Sequence, residues 1–546
     1  MKKLLCVVLS ALMVITVTPF AVLEIQAVDN VTYYIDAIGG DNANSGMSED
    51  EAWKDLGAFN GEQALTAGVS VLFKCGGTYD FNVELRDIAG TKESPFIISS
   101  YGEGERPILT TQAKDEILTL IDCSYITISN LQMVAPNGGG IWIDTLNRTS
   151  EGIVIDNVYF HGMPNGKVNA RDDMSNGAAP ARAAVMVKGL AARSRYAVND
   201  LTIKNCEVYD CANGFMIWGS WNDEQNPWCE EEDADPIYNT GLLIEGCYFH
   251  EMDAEAVIIG ICDGALVTNC RAIDTCLGEG VDENGEILYF TAAMWFWGSE
   301  NSTIQYCEIA GQKNYGDGMT VDFDSQTNNC TYQYIYSHDN MRFMCNNAKA
   351  SPQKNNTVRY CLSVNDNGGR SAIASGNGED GFNFYNNTII NCGDFHVRYL
   401  TNSLFANNII MPEEGAIILW NLSEEAVAGN TYKNNCYGQT INPIMDINSM
   451  NVIPNFVGGS DSRTAYQLAE GSALIGAGAK IDDGLTEDFF GNKITSTNIG
   501  CYGGSGEAVT DDTVDSENEG VIEKFIRIIK TIFKIIVNEI RKLAEE

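Results

Sequence analysis

The chain has 546 residues, 45% hydrophobic and 20% charged, an ordinary composition for a packed protein. Its 74 acidic and 34 basic residues leave a formal net charge of −40. That excludes nucleic acid as a partner, because phosphate binding needs a basic surface.

At the N-terminus, Lys2 and Lys3 precede an apolar run, Leu4 to Leu23, and Ala27 offers a small residue for cleavage. Residues 1–27 read as an export signal, so the protein is expected outside the cell, with a membrane anchor as the competing reading. Export permits disulfides, yet none of the 17 cysteines forms a Cys-x-x-Cys pair of zinc-site spacing. Cys211 with Cys229 is the one pair marked as a candidate bridge.

From Ile126 to Asn435 a short pattern recurs: apolar, any, apolar, any, then Asn or a similar residue, then Cys, Asn or an aliphatic. ITISNL, IVIDNV, LTIKNC, LLIEGC, STIQYC, NTVRYC and FNFYNN are copies. Those ending at Ile335, Cys361 and Asn387 are 26 residues apart. A repeat of this length, built of short alternating strands and Gly/Asn turns, predicts an all-β parallel solenoid. Cys206, Cys247, Cys270, Cys307 and Cys361 then share one repeat position, read as a buried ladder of small soft side chains. Asn387, Asn408 and Asn435 continue it as an amide ladder.

A second strand follows each turn: FMIWG, AVIIG, MWFWG, TVDFD. Alternation predicts that Met216 and Trp218, Val257 and Ile259, Trp295 and Trp297, and Val321 and Phe323 point inward. By that register Met294, Phe296, Thr320, Asp322 and Asp324 face out, followed in later coils by Arg370, His396 and Arg398, with Arg342 in a turn. Insertions at Met163–Val198, Asn222–Tyr238 and Cys276–Ile287 leave the coils before this point. They are placed to wall a groove on the same face. The second of them carries Trp228 and the acidic run Glu230 to Asp235.

Residues 28–504 are read as one β-helix domain, with Ala52 to Gly68 as a cap over its first coil. Residues 505–520 are an acidic linker. In 521–546, Ile522, Phe525, Ile526, Ile529, Ile532, Phe533, Ile536, Ile540 and Leu543 recur at helical spacing among six Lys and Arg. This amphipathic helix is expected on a membrane surface, in self-association, or docked on the solenoid.

YYIDAIGGDNANSGMSEDEAWKDL (Tyr33–Leu56), SVLFKCGGTY (Ser70–Tyr79) and PFIISSYGEGERPIL (Pro95–Leu109) resemble the opening of secreted right-handed parallel β-helix proteins of the pectate-lyase-like superfamily. LIGAGA, DFFGN and NIGCYG (between Leu474 and Gly503) resemble its closing coil. The resemblance implies a right-handed β-helix and, in most members, polysaccharide lyase, glycoside hydrolase or epimerase activity; some members are non-enzymatic surface proteins. The chain departs from the two best-known pectin activities. It lacks the Asn-Thr-Asp, Asp-Asp, Gly-His-Gly and Arg-Ile-Lys set of polygalacturonases. IWIDT (Ile141–Thr145) has Thr where pectate lyases carry His. Gly316–Asn340 resembles a stretch of β-helix proteins that act on plant polysaccharides.

Asp322 and Asp324, with Asp317 nearby, are the expected acid and base of a glycoside hydrolysis. His396 is a further catalytic candidate, while His338 sits at a repeat position shared with His161 and His250 and reads as structural. Arg370, Arg398 and Arg342 are candidates to hold an acidic sugar, with Phe296 and Trp228 as stacking surfaces. Under the lyase alternative, Asp322 and Asp324 would bind Ca²⁺. The expected function is cleavage of a plant cell-wall polysaccharide by hydrolysis. The alternatives are a Ca²⁺-dependent lyase on a uronic-acid glycan and a non-enzymatic cell-surface glycan-binding protein.

Overall fold

The computed structural model describes residues 30–59, 65–163, 183–188, 195–221, 236–278, 291–313, 318–348, 353–369, 371–373, 375–376, 379–420, 429–438, 446–459 and 463–506. The expected signal segment 1–27, nearly all of the acidic linker and the amphipathic segment 521–546 lie outside the described residues. So do Cys229, Trp228, the run Glu230 to Asp235, Asp317 and Arg370.

The chain winds as a parallel β-helix. Three long sheets run along it: 15 strands from Thr32–Ile35 to Asp446–Ile447, 13 strands from Thr78–Asp80 to Cys436–Tyr437, and ten strands from Val83–Arg86 to Ser375–Gly376. Equivalent strands of successive coils pair in parallel and in register, as Val154–Asp156 with Thr202–Lys204 and then Leu243–Glu245. Each coil satisfies its backbone groups on its two neighbours. The Ser220–Trp221 and Pro236–Ile237 strands form an antiparallel exception.

The repeat motif is explained by its turn. The residue before the ladder position adopts positive φ in coil after coil: Asn130 (57°), Asn157 (59°), Asn205 (54°), Asn269 (56°), Asn386 (54°), Asn407 (55°) and Asn434 (54°). Asn tolerates this left-handed conformation better than other non-glycine residues, so it recurs there. The ladder residues that follow are buried, and Cys206, Cys247, Cys270, Cys307 and Cys361 are free thiols. Cys211 is a free buried thiol as well. The amides interlock: Asn387 Nδ2 donates to Asn408 Oδ1 at 3.0 Å, and Asn408 Nδ2 donates to Asn435 Oδ1 at 2.9 Å.

The segment between Leu474 and Gly504 runs back along the outside of the helix. Asn434 Nδ2 donates to the Ala477 carbonyl and Asn407 Nδ2 to that of Ala479, each at 2.8 Å. Further back, Tyr334 Oη donates to the Glu487 carbonyl at 3.0 Å. At the other end, Trp53 stacks on Tyr33 at 5.0 Å, and Phe59 meets both rings edge-on.

The ten-stranded sheet departs from the expected register. Near the start of its strands two successive residues point inward: Ala184 and Val185, Ala256 and Val257, Ala293 and Met294, Phe343 and Met344 all join one core. Alternation then runs from the second. Phe215 and Ile217 are inside, whereas Met216 and Trp218 face out. Met294 and Phe296 are fully buried in the core and Trp295 faces out, so Phe296 is no stacking surface. Thr320 is also turned in, its hydroxyl 2.6 Å from Ser337 Oγ. Val257, Ile259, Val321 and Phe323 are inside.

Candidate active site

The outer face of the ten-stranded sheet is apolar over several coils and then abruptly acidic. One ladder of outward residues reads Trp142, Met186, Met216, Ile258, Trp295, Asp322 from coil to coil. The next reads Trp218, Gly260 and Trp297, and Asp324 follows Phe323 just as Trp297 follows the paired Phe296. Met186, Met216, Trp218, Ile258 and Trp297 form a second apolar cluster outside the core, with Trp142, Tyr238 and Trp295 half-buried against it. Trp218 meets Trp295 and Trp297 edge-on, at 6.4 and 5.6 Å. Gly260 is required here, because a Cβ on it would lie 2.1 Å from Trp218 Cε3.

Asp322 and Asp324 sit on the Met319–Asp324 strand, two residues apart on its outer face. Their Cα atoms are therefore about 6.6 Å apart. Asp322 is 7% exposed and Asp324 is more open. Their backbone is tied from within. Tyr332 Oη donates to the Asp322 carbonyl at 2.6 Å, and Gln353 Nε2 donates to the carbonyls of Phe323 and Asp324 at 2.7 and 2.9 Å. Asp324 Oδ1 accepts from the Ser325 amide at 2.7 Å. Below this strand, Glu379 is buried and accepts from Asn346 Nδ2 and the Asn356 amide. Burial pushes its carboxyl up to about 8 against those hydrogen bonds.

His396, 6% exposed, lies on the Phe395–Val397 strand of a separate three-stranded sheet, on the side opposite the core residues Phe395 and Val397. Arg398 donates to its Nδ1. Arg342 is the first residue of the Arg342–Ala348 strand, one coil beyond Met319, rather than part of a turn. The Phe343 amide, bonded to Ser371 Oγ at 3.1 Å, links that strand to the next coil. His338 belongs to the 13-stranded sheet, away from this face, held between Glu308 and Asp339. His161 and His250 stack on the two faces of Tyr209 at 4.8 and 5.2 Å, which is a packing role.

Several polar groups on this face carried no sequence signal. Lys188 is fully buried, its Nζ 2.9 Å from Ser220 Oγ, and burial lowers its pKa to about 8. Asp144, beside it, is raised by burial, with the Lys188 charge acting the other way. Asn213, unexposed, has no hydrogen-bond partner for either amide atom among the described residues. Among the described residues no three His, Cys, Asp or Glu side chains are grouped to hold a metal.

No family model matches the chain. It is 25% identical, over an alignment of 584 residues, to a lacto-N-biosidase of Bifidobacterium longum subsp. longum. The alignment takes in 85% of this chain and 36% of the relative, so the chain spans about a third of that protein's length. The native crystal structure of a GH136 lacto-N-biosidase from Eubacterium ramulus matches at a TM-score of 0.50 and 18% identity, over 77% of this chain and 68% of that one. Its selenomethionine derivative matches at the same score and identity, over 78% and 68%. At such identities the likeness to solved structures is one of fold, and it agrees with the parallel β-helix described above.

Proposed function

We propose that this protein is a carbohydrate-active enzyme that hydrolyses a glycosidic bond in the groove of its ten-stranded sheet. The observation that carries the reading is the placement of Asp322 and Asp324 on the outer face, with Trp295 and Trp297 one coil before them. A sugar ring stacked on an indole would present its linkage to the carboxylates. One carboxyl protonates the leaving oxygen while another acts as base or nucleophile. Asp317, two residues before the Met319–Asp324 strand and outside the described residues, is the third carboxylate nearby in sequence.

The substrate reading rests on the relative's name. A lacto-N-biosidase points to a glycan that carries a lacto-N-biose unit, and it puts hydrolysis ahead of elimination. The plant polysaccharide expected from the sequence remains in the test panel. Incubation with lacto-N-tetraose and with neutral and acidic plant polysaccharides should give a free disaccharide or new reducing ends without unsaturated-uronide absorbance. Asp322→Asn, Asp324→Asn and Asp317→Asn are then assayed one by one. Each essential carboxylate should lower kcat by at least 10²-fold, in the range of acid–base catalysis. Full activity in the Asp322 and Asp324 variants refutes the pair. Retained glycan binding without cleavage of any substrate refutes the enzyme.

A further inference from the structure

Beyond the acids, the same face changes character. In a chain with 74 acidic residues, arginines on the described surface are mostly taken up. Arg86 pairs with Glu84, Arg148 with Asp87, Arg271 with Glu308, and Arg359 reaches Asp483. Arg342 and Arg398 differ. Both are half-buried, and no carboxylate among the described residues lies within 4 Å of either. The Nε of each is buried without a hydrogen-bond partner. An Nε so placed has lost water without gaining an acceptor, a cost that an anion would offset, even though another nitrogen of Arg398 meets His396 Nδ1.

Their setting is specific. The Arg342 guanidinium lies over the next coil at Gly369, where a Cβ would come within 3.2 Å of Nη2 and 3.3 Å of Nε. Gly369 in turn is approached by Gly393, whose Cβ would meet its carbonyl at 2.4 Å. The missing side chain at Gly369 thus leaves the Arg342 guanidinium its room, and Gly393 lets the following coil pack closely against Gly369. Arg398 folds back on His396, so that imidazole ring and guanidinium share one patch on the outer side of the Phe395–Val397 strand. With coils about 4.8 Å apart, these groups lie roughly 5–15 Å beyond the acid-bearing strand.

We propose that Arg342 and Arg398 form a binding site for an anionic substituent, a carboxylate or sulfate, on the part of the glycan that extends past the acids toward the C-terminal coils. The proposal rests on the reading of this face as a glycan groove, and it does not require that the glycan be cleaved. The apolar coils before the acids take the uncharged part of the chain. The formal net charge of −40 disfavours acidic glycans at sites without such a cation pair.

The test is calorimetric binding to the full chain, with each probe recovered and checked to be uncleaved, so that hydrolysis plays no part. The probes are sialyllactose (carboxylate), a sulfated lactose (sulfate) and lactose (neutral), at one ionic strength. At least one acidic probe should bind about tenfold more tightly than lactose, the yield of one charged hydrogen-bonded contact. Arg342→Gln and Arg398→Gln should each remove that preference with lactose affinity and melting temperature unchanged, while Arg342→Lys keeps part of it. Equal binding of the three probes, or none, overturns the site, as does a preference that survives both Gln variants. Loss of hydrolysis in the Asp variants bears only on the enzymatic reading.

Discussion

Trp295 stands directly opposite Asp322 across the ladder between two neighbouring coils, both on the outer face of the sheet. Its chain neighbour Phe296 points the other way, into the core, and stacks on Phe323 at 6.1 Å. The two aromatic residues should therefore fail differently. Trp295→Ala is expected to weaken glycan binding about fivefold with melting nearly unchanged, from the loss of a stacking contact of ~1 kcal/mol. Phe296→Ala should cost about 3–5 kcal/mol in denaturant unfolding.

Gly260 offers a subtler probe of the groove. Gly260→Ala places a methyl 2.1 Å from Trp218 Cε3, so the indole must move. Overpacking of this kind costs about 1–3 kcal/mol. Trp218 and its edge-on partners shift with it, and glycan affinity should fall in isothermal titration while the solenoid still folds.

The amide ladder should prove more fragile than the thiol ladder. Asn408 accepts from the amide nitrogen and side chain of Asn387, and donates to the Phe384 carbonyl and to Asn435. Asn408→Ala leaves several buried groups unmet, at about 1–3 kcal/mol each. Cys270→Ala removes a weak thiol donor at 3.3 Å from the Thr268 carbonyl, and should cost about 1 kcal/mol. Urea titrations of both variants check the order.

Glu379 gives the fold an alkaline limit. Burial raises its carboxyl from an ordinary value to about 8. The folded chain thus holds a proton that the unfolded chain releases near pH 4.3. That contribution is complete below the unfolded value and is lost as pH rises through about 8. Glu379→Gln keeps an amide in place of the neutral acid. Its melting temperature should fall less than that of wild type between pH 6 and 9, and parallel curves would refute the assignment.

The solenoid was legible because two constraints recur in every coil. A turn residue with positive φ selects Asn, as at Asn130, Asn157 and Asn205. A buried position after it selects small or self-pairing side chains. The register of the ten-stranded sheet was not legible. FMIW and MWFW are apolar on both parities, so alternation could not tell Phe215 from Met216 or Phe296 from Trp295. Placing aromatic residues inside was the wrong tiebreak, since indoles serve an exposed face as readily as a core. Where one parity is charged, in TVDFD, the assignment of Val321 and Phe323 to the inside follows at once. Lys188 and Asn213 gave no pattern at all, because a single polar residue at a strand end looks like any loop residue.

A solenoid in which each coil touches only its neighbours can fray from its end one coil at a time. The returning segment changes that. Asn434, Asn407, Asn386 and Tyr334 belong to four coils, and all are fastened to the one stretch between Ala477 and Gly500. Tyr334 and Glu487 are 153 residues apart in sequence. The C-terminal coils are thus locked into one cooperative block, which cannot be completed until the last part of the domain has left the ribosome.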